Sequence, residues 1–312
     1  MNRFLIIVFA GFTAVIATAA PVTLDATKLR LMSANAVIVD AGDGSSMYGK
    51  AADEITPIAS LTKLMTAMVV LDAGLPAGEA LAVDMDDFDY LKGSRSRLRM
   101  GATLSRDEML RLALMASENR AASALARHYP GGTSAFVAAM NVKATMLGMT
   151  RTHYEDPTGL SPRNVSTAND LARLVRAAAD YPLIREYSTT PAHYVEVQPT
   201  GQTLGFNNSN VLVKNGAWDI HLQKTGYIRE AGRCVVMLAT IASRPVVIVL
   251  LDSIGKLTRL GDAERVKHWL ETGETMPAPV ARQAVLKSAP KAGRPAKATP
   301  AKLASASKAR RG

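Results

Sequence analysis

An α+β fold is expected, with one antiparallel sheet formed by both ends of the chain and helices on both of its faces, and three observations predict it. Residues 36–40, Ala-Val-Ile-Val-Asp, form an early run rich in β-branched residues that reads as a strand. Three more such runs, 220–225, 234–241 and 246–251, crowd the last third of the body, with turn residues at Gly232 and Arg244-Pro245. Everything between reads mainly as helix, so the strands at the two ends must pair with each other to bury their edges.

The elements follow in order. Ala41-Gly42-Asp43-Gly44 is a turn, which makes residues 45–50 the hairpin partner of the first strand. Leu61, Leu64, Met65, Met68, Val69, Val70 and Leu71 are apolar almost all round, as in a buried helix that stops at Gly74. Residues 75–100 read as irregular. Ser105-Arg106-Asp107-Glu108 has the form of a capping box, opening a helix that runs to about Ala116. A second helix reaches Tyr129 before Pro130-Gly131-Gly132, and a third spans 133–147. The run Asp156-Pro157-Thr158-Gly159-Leu160-Ser161-Pro162 is a loop, and Ser166 or Thr167 caps a fourth helix ending near Tyr181-Pro182. Residues 188–217 read as loop with short strands. Residues 262–272 form a last helix, with Val266, Trp269 and Leu270 on one face.

Composition bounds the setting. The chain has 312 residues, of which 48% are hydrophobic, enough for one large core. Asn2-Arg3, an apolar run over 4–16 and Ala17-Thr18-Ala19 have the order of a signal peptide, so residues 1–19 are expected to be cleaved and the product exported to the periplasm. The body then begins at 20 and runs to 276. Arg3 and the nine basic residues of 277–312 account for the whole net charge of +10, and that tail contains no acid. Rich in Ala, Lys and Pro, it cannot bury enough surface to order itself, and it is expected to be disordered, with an anionic surface or polymer as its possible partner. Export argues against nucleic acid.

Several chemistries find no support. Cys234, the single cysteine, lies in an apolar run and permits no intrachain disulfide. His128, His153, His193, His221 and His268 are scattered without metal-ligand spacing, so no metal and no cofactor are expected. Asp84, Asp86, Asp87 and Asp89 lack the glycine and distal glutamate of a calcium loop and read as a surface charge cluster.

The chemistry gathers in three short motifs. In Ser60-Leu61-Thr62-Lys63, three-residue spacing on a helix sets the Lys63 amine beside the Ser60 hydroxyl. Burial lowers a lysine pKa, which suits Lys63 as general base, and Ser60, near a helix N-terminus after Pro57, has N–H groups at hand for an oxyanion. Ser117-Glu118-Asn119 lies between the helix that ends near Ala116 and the one that reaches Tyr129. Lys224-Thr225-Gly226 lies on a strand and offers an ammonium and a hydroxyl to a carboxylate, with a residue lacking a side chain where a ligand backbone can lie. Each motif is short. Ser-x-x-Lys recurs at 305–308, and Ser33-Ala34-Asn35 copies the second, so only the ordered set is specific.

That ordered set is the signature of penicillin-binding proteins and class A β-lactamases. With the flanking Ala59 and Leu64-Met65-Thr66, Leu114-Met115-Ala116 and Arg120-Ala121-Ala122, the Asp156–Ser161 loop and Tyr227, the chain resembles the low-molecular-mass D-alanyl-D-alanine carboxypeptidase and endopeptidase family over about 28–277. It looks closest to the D-alanyl-D-alanine endopeptidase branch, the penicillin-binding protein 7 type. Ser-Glu-Asn replaces the Ser-Gly-Asn common in the carboxypeptidases, and no room is left for the second β-domain those typically carry. The resemblance implies a β-lactamase/DD-peptidase-like fold with a helical subdomain. It implies Ser60 as nucleophile, Lys63 as its base and Ser117 as proton relay. Asn119, Lys224, Thr225 and Gly226 would bind substrate, and the backbone N–H groups of Ser60 and Tyr227 would form the oxyanion hole. Peptidoglycan stem peptides and cross-links would be the substrates, and β-lactam antibiotics covalent inhibitors. Trimming of terminal D-alanine, and a non-catalytic protein that grips the cell wall, stand as alternatives.

Overall fold

The computed structural model describes residues 23–276. The expected signal peptide, the basic tail and the Ser-x-x-Lys copy at 305–308 lie outside the described residues. Among the described residues, eleven strands and seven α-helices follow one another. The strands are β1 (Asn35–Asp40), β2 (Ser46–Lys50), β3 (Thr56–Pro57), β4 (Ala80–Ala82), β5 (Thr103–Ser105), β6 (Val165–Ser166), β7 (Ala192–Val197), β8 (Gln202–Asn207), β9 (Asp219–Ile228), β10 (Gly232–Ile241) and β11 (Arg244–Ser253). The helices are α1 (Lys63–Asp72), α2 (Arg106–Met115), α3 (Asn119–Arg127), α4 (Gly132–Met146), α5 (Ala168–Ala178), α6 (Pro182–Thr189) and α7 (Thr258–Thr272).

The main sheet is antiparallel in the order β2-β1-β11-β10-β9, so both ends of the body do meet in it. Ala36 pairs with Leu250 and Ile38 with Ile248 across β1 and β11. Alternation sends Ala36, Ile38, Val235, Met237, Ile248 and Leu250 to one face, where Val266 and Trp269 of α7 cover them. Val37, Val39, Val236, Val249 and Leu251 point to the other face, into a core shared with α1, α2 and α5. Both faces are covered, so β1 reads as an unbroken apolar run.

The long connection between β2 and β9 builds the helical part around α1. Lys63 through Val70 are all buried, the reason for the all-round apolar pattern. β9 is one of the two edge strands, and it packs against the segment that opens α1. Four expectations need correction. The segment holding Ser60 is a 3-10 turn, Ala59–Thr62, and the α-helix starts at Lys63. Residues 182–189 form α6, with Pro182 at its first turn, where the missing N–H costs nothing. Ser105 caps α2 by accepting from Glu108 N, but the Glu108 carboxylate turns to His193 instead of closing the box. The aspartates of 84–89 are not simply a surface cluster. Asp87 is buried against Arg127 at 2.9 Å, and Asp89 accepts from Leu91, Lys92 and Ser94 N–H groups, shaping the loop.

Candidate active site

Ser60 sits in the 3-10 turn that leads into α1. In such a turn residues three apart are eclipsed, which brings Lys63 Nζ to 3.0 Å from Ser60 Oγ. Ala59, just before, is held in the left-handed region at φ 48°, and Ser117 at φ 61°. Non-glycine residues in this region cluster where a site over-determines the backbone.

The Lys63 amine is fully buried and makes two further hydrogen bonds, to Asn119 Oδ1 at 2.6 Å and to the Thr158 carbonyl at 2.7 Å. Both of those oxygens only accept. A neutral amine there donates its two protons to them and points its lone pair at Ser60 Oγ. Burial pushes the Lys63 pKa down to about 8, against smaller upward pulls from Asp156, Glu118 and Asp89.

The Thr158 carbonyl is aimed by its own loop. The Asp156 carboxylate accepts from Thr158 N, Thr158 Oγ1, Gly159 N and Ser161 N, at 2.6 to 2.8 Å. Thr66 Oγ1 donates to Pro157 O at 2.6 Å and Asn164 Nδ2 to Thr62 Oγ1 at 3.0 Å, tying the loop to α1. Gly159 has φ 82°, and a Cβ there would lie 1.9 Å from Ala59 O. The loop thus rests directly against the backbone that presents Ser60.

Ser117 and Asn119 flank the α2–α3 connection. Between them Glu118 turns inward and caps α3 by accepting from Arg120 N at 3.2 Å, and burial raises its pKa. Asn119 Nδ2 donates to Ser94 Oγ at 2.9 Å, which fixes the amide with its oxygen toward Lys63.

β9 forms the facing wall. Lys224 Nζ, fully buried, donates to Ser117 Oγ at 2.8 Å and to Thr225 O at 2.9 Å. Burial, then the charges of Lys63 and Arg259, hold its pKa well below the ordinary lysine range. Thr225 Oγ1 donates to Ser209 Oγ at 2.7 Å. A Cβ on Gly226 would lie 3.0 Å from Ile58 O and 3.1 Å from Ser60 N, so the missing side chain admits the nucleophile segment itself against the strand. Tyr227 follows, its ring under the Arg233 guanidinium at 4.6 Å.

Seven positions expected from the sequence therefore gather about one cleft: Ser60, Lys63 and Asn119 in one hydrogen-bonded set, Ser117 and Lys224 in another, and Thr225 and Gly226 beside them. The decoy separates from it: Ser33 bonds Asp262 and Ser253 on the far face of the sheet. Sequence reasoning gave no role to Thr158 O, Ser94, Ser209 or Arg259. The Asp-Pro-Thr-Gly run was visible, but a carbonyl leaves no mark on residue type. Arg259 Nη1 reaches Gly226 O at 3.2 Å and Cys234 O at 3.3 Å from α7. Cys234 is buried, its thiol pushed up to about 12. Among the described residues no group of three His, Cys, Asp or Glu side chains is placed to hold a metal. A cavity of about 460 Å³ beside Ala41, Arg173, Arg176 and Asp180 contains none of the site residues.

A hydroxyl beside a buried amine, under the edge of an antiparallel sheet, defines a serine hydrolase of the acyl-transfer type. The chain belongs to the D-alanyl-D-alanine carboxypeptidase family, whose model matches residues 22–255. It is 49% identical over 272 residues to a D-alanyl-D-alanine endopeptidase of Pseudomonas aeruginosa, covering 87% of this chain and 88% of the relative. With an Escherichia coli K12 protein of the same name the identity is 48%, over 86% of both chains. Among solved structures, the Streptomyces K15 DD-transpeptidase superposes with a TM-score of 0.72 at 28% identity, over 78% of this chain and 98% of that one. The fold is thus the DD-peptidase fold.

Proposed function

We propose that the chain is a serine D-alanyl-D-alanine endopeptidase that hydrolyses peptidoglycan cross-links through an acyl-enzyme on Ser60. The observation that carries this reading is the Lys63 amine, 3.0 Å from Ser60 Oγ, with its other two partners able only to accept. Ser60 Oγ attacks the D-alanyl carbonyl as its proton passes to Lys63 Nζ. The oxyanion is taken by the N–H groups of Ser60 and Tyr227, on segments that Gly226 allows to touch. Ser117 hands a proton to the leaving amine as the carbon–nitrogen bond breaks, leaving an ester on Ser60. The proton held on Lys63 replaces the one Ser117 gave up, which returns Lys63 to its neutral form. Water then gives a proton to Lys63 as it attacks the ester, and that proton returns to Ser60 Oγ as the carbon–oxygen bond breaks. A substrate carboxylate beside Lys224 and Thr225 favours the ammonium that burial otherwise opposes.

The two relatives near half identity carry the endopeptidase name, which supports cross-link cleavage over trimming of terminal D-alanine. The family description supports the trimming activity as the second reading. β-Lactams acylate Ser60 as mimics of the scissile amide. The signal-like residues 1–19 support export to the periplasm, residues 20–276 the catalytic domain, and the basic tail contact with an anionic polymer. Mass spectrometry of purified cross-linked dimeric muropeptides tests the assignment. Monomers are expected from the native chain and none from Ser60→Ala, which also fails to bind penicillin covalently. Loss of a single alanine with the dimer intact would establish the carboxypeptidase instead, and cleavage by the variant would remove Ser60 as nucleophile.

A further inference from the structure

Outside the catalytic cleft, one cavity combines apolar walls with charges of a single sign. β5 and β7 are joined by one antiparallel bridge, in which Thr103 N donates to Gln198 O at 2.9 Å and Gln198 N to Thr103 O at 3.2 Å. Beside it the segment 97–102 and the tip of the β7–β8 hairpin stand on either side of a cavity of about 300 Å³, at the lower end of small-ligand sites. Ala102 and Val197, which are buried, and the half-buried Leu204 line it. Leu98 turns into the core, while Arg97 and Arg99 on either side of it are exposed and border the cavity. Arg97 donates to the Gly205 carbonyl and lies 5.5 Å from the centre of the Phe206 ring. Among the described residues Arg99 makes no side-chain hydrogen bond, and neither guanidinium is in an ion pair. No Asp or Glu lines the cavity. Glu196, next to Val197, accepts from Gln198 Nε2 at 2.9 Å and borders a separate groove.

We propose that this cavity binds an anionic amphiphile, a phosphate or carboxylate on a short apolar chain. The anion takes the N–H forks of Arg97 and Arg99, whose planar geometry matches its oxygens, and the chain lies against Ala102, Val197 and Leu204. Each half of the ligand needs the other. An inorganic anion leaves the apolar walls wet, and an uncharged chain leaves two like charges at the rim without a counter-ion. Arginines on a solvated loop need no ligand to explain them. An apolar cavity between these two, with no acid beside it, is what sets them apart. The site shares no residue with the catalytic set, so the inference does not depend on the proposed peptidase activity.

Titration calorimetry of the full chain with octyl phosphate, octanol and inorganic phosphate, each below any micelle-forming concentration, tests this. Octyl phosphate is expected to bind about tenfold or more tightly than either of the others, since only it fills both halves of the site. Arg99→Gln weakens octyl phosphate by about threefold or more, the scale of an exposed charge contact, and leaves octanol unchanged. Its melting temperature stays within about 1 °C of the native value, as for a surface substitution. Leu204→Glu, which sets a carboxylate beside the guanidiniums, abolishes octyl phosphate binding. The basic tail is common to all of these chains and cancels in the comparison. Equal affinity of the native chain and Arg99→Gln for octyl phosphate overturns the inference. So does octanol or inorganic phosphate binding as tightly as octyl phosphate, which would leave only a greasy surface or an anion patch. Phosphatidylglycerol vesicles then identify the source of the ligand. Retention that falls in Arg99→Gln points to a bilayer lipid, and unchanged retention, with octyl phosphate still separating the two chains, to a free amphiphile.

Discussion

At the scale of the residue, the site is decided by what surrounds one amine. Lys63 is fully buried with two acceptor-only partners, so its protonation state sets whether Ser60 is activated. Burial favours the neutral form, and the pKa of about 8 leaves a base fraction near neutrality that an exposed lysine lacks. Below that value the ammonium has no lone pair to offer. The rate of Ser60 acylation by penicillin is therefore expected to rise about tenfold per pH unit toward pH 8 and to level off above it. Lys63→Gln removes both the rise and ~100-fold or more of the rate. Stopped-flow acylation across pH checks this, and a flat profile in the native enzyme would exclude Lys63 as the base. The pairing of Ser60 with Lys63 was legible in sequence, because helical spacing alone brings such residues together. Thr158 O was not, since every residue has a carbonyl and only a fold can aim one.

At the scale of the element, two glycines hold the nucleophile turn between the 156–161 loop and β9, and they differ in a way that can be measured. Gly159 combines φ 82° with a Cβ position 1.9 Å from Ala59 O, a backbone atom that cannot rotate away. Gly226 lies in a regular strand, and its Cβ contacts of 3.0 and 3.1 Å need only a small adjustment. Gly159→Ala is expected to cost at least about 2 kcal/mol from the left-handed backbone and the displaced loop. Gly226→Ala is expected to cost less in stability while slowing acylation, because Ser60 N moves with it. Urea unfolding and penicillin acylation of both variants check the pattern, and equal stability of the two would contradict it. The capped and strongly periodic elements α2, α5 and β9–β11 were readable from side chains alone. α6 was not, since polar Arg185, Glu186, Ser188 and Thr189 fit a loop as well as a helix until Ile184 and Tyr187 find the core.

At the scale of the whole molecule, β1 and β11 bring the two ends of the body into register and place β9 at the sheet edge over the helical part. The tail at 277–312 follows α7 and adds nine positive charges to a body that is close to neutral. A chain ending at residue 276 is expected to keep its melting temperature within about 1 °C and its penicillin acylation rate, since the pairing that closes the sheet ends at Ser253 and α7 at Thr272. Its retention on isolated cell-wall sacculi is expected to fall and to lose its dependence on salt. Unchanged retention in a salt titration would deny the tail a binding role. The amino-acid sequence by itself determined the types and order of the reactive groups, the strands at the two ends and the buried helix between. These are set by local periodicity and by chemistry that belongs to single side chains. Only the tertiary structure decided that Ser117 meets Lys224, that Asn119 and Thr158 O turn the Lys63 lone pair toward Ser60, and that Arg97 and Arg99 share one cavity with Val197 and Leu204. Those contacts join residues far apart in the chain, and their distances depend on how sheet and helices pack, a quantity no local pattern encodes.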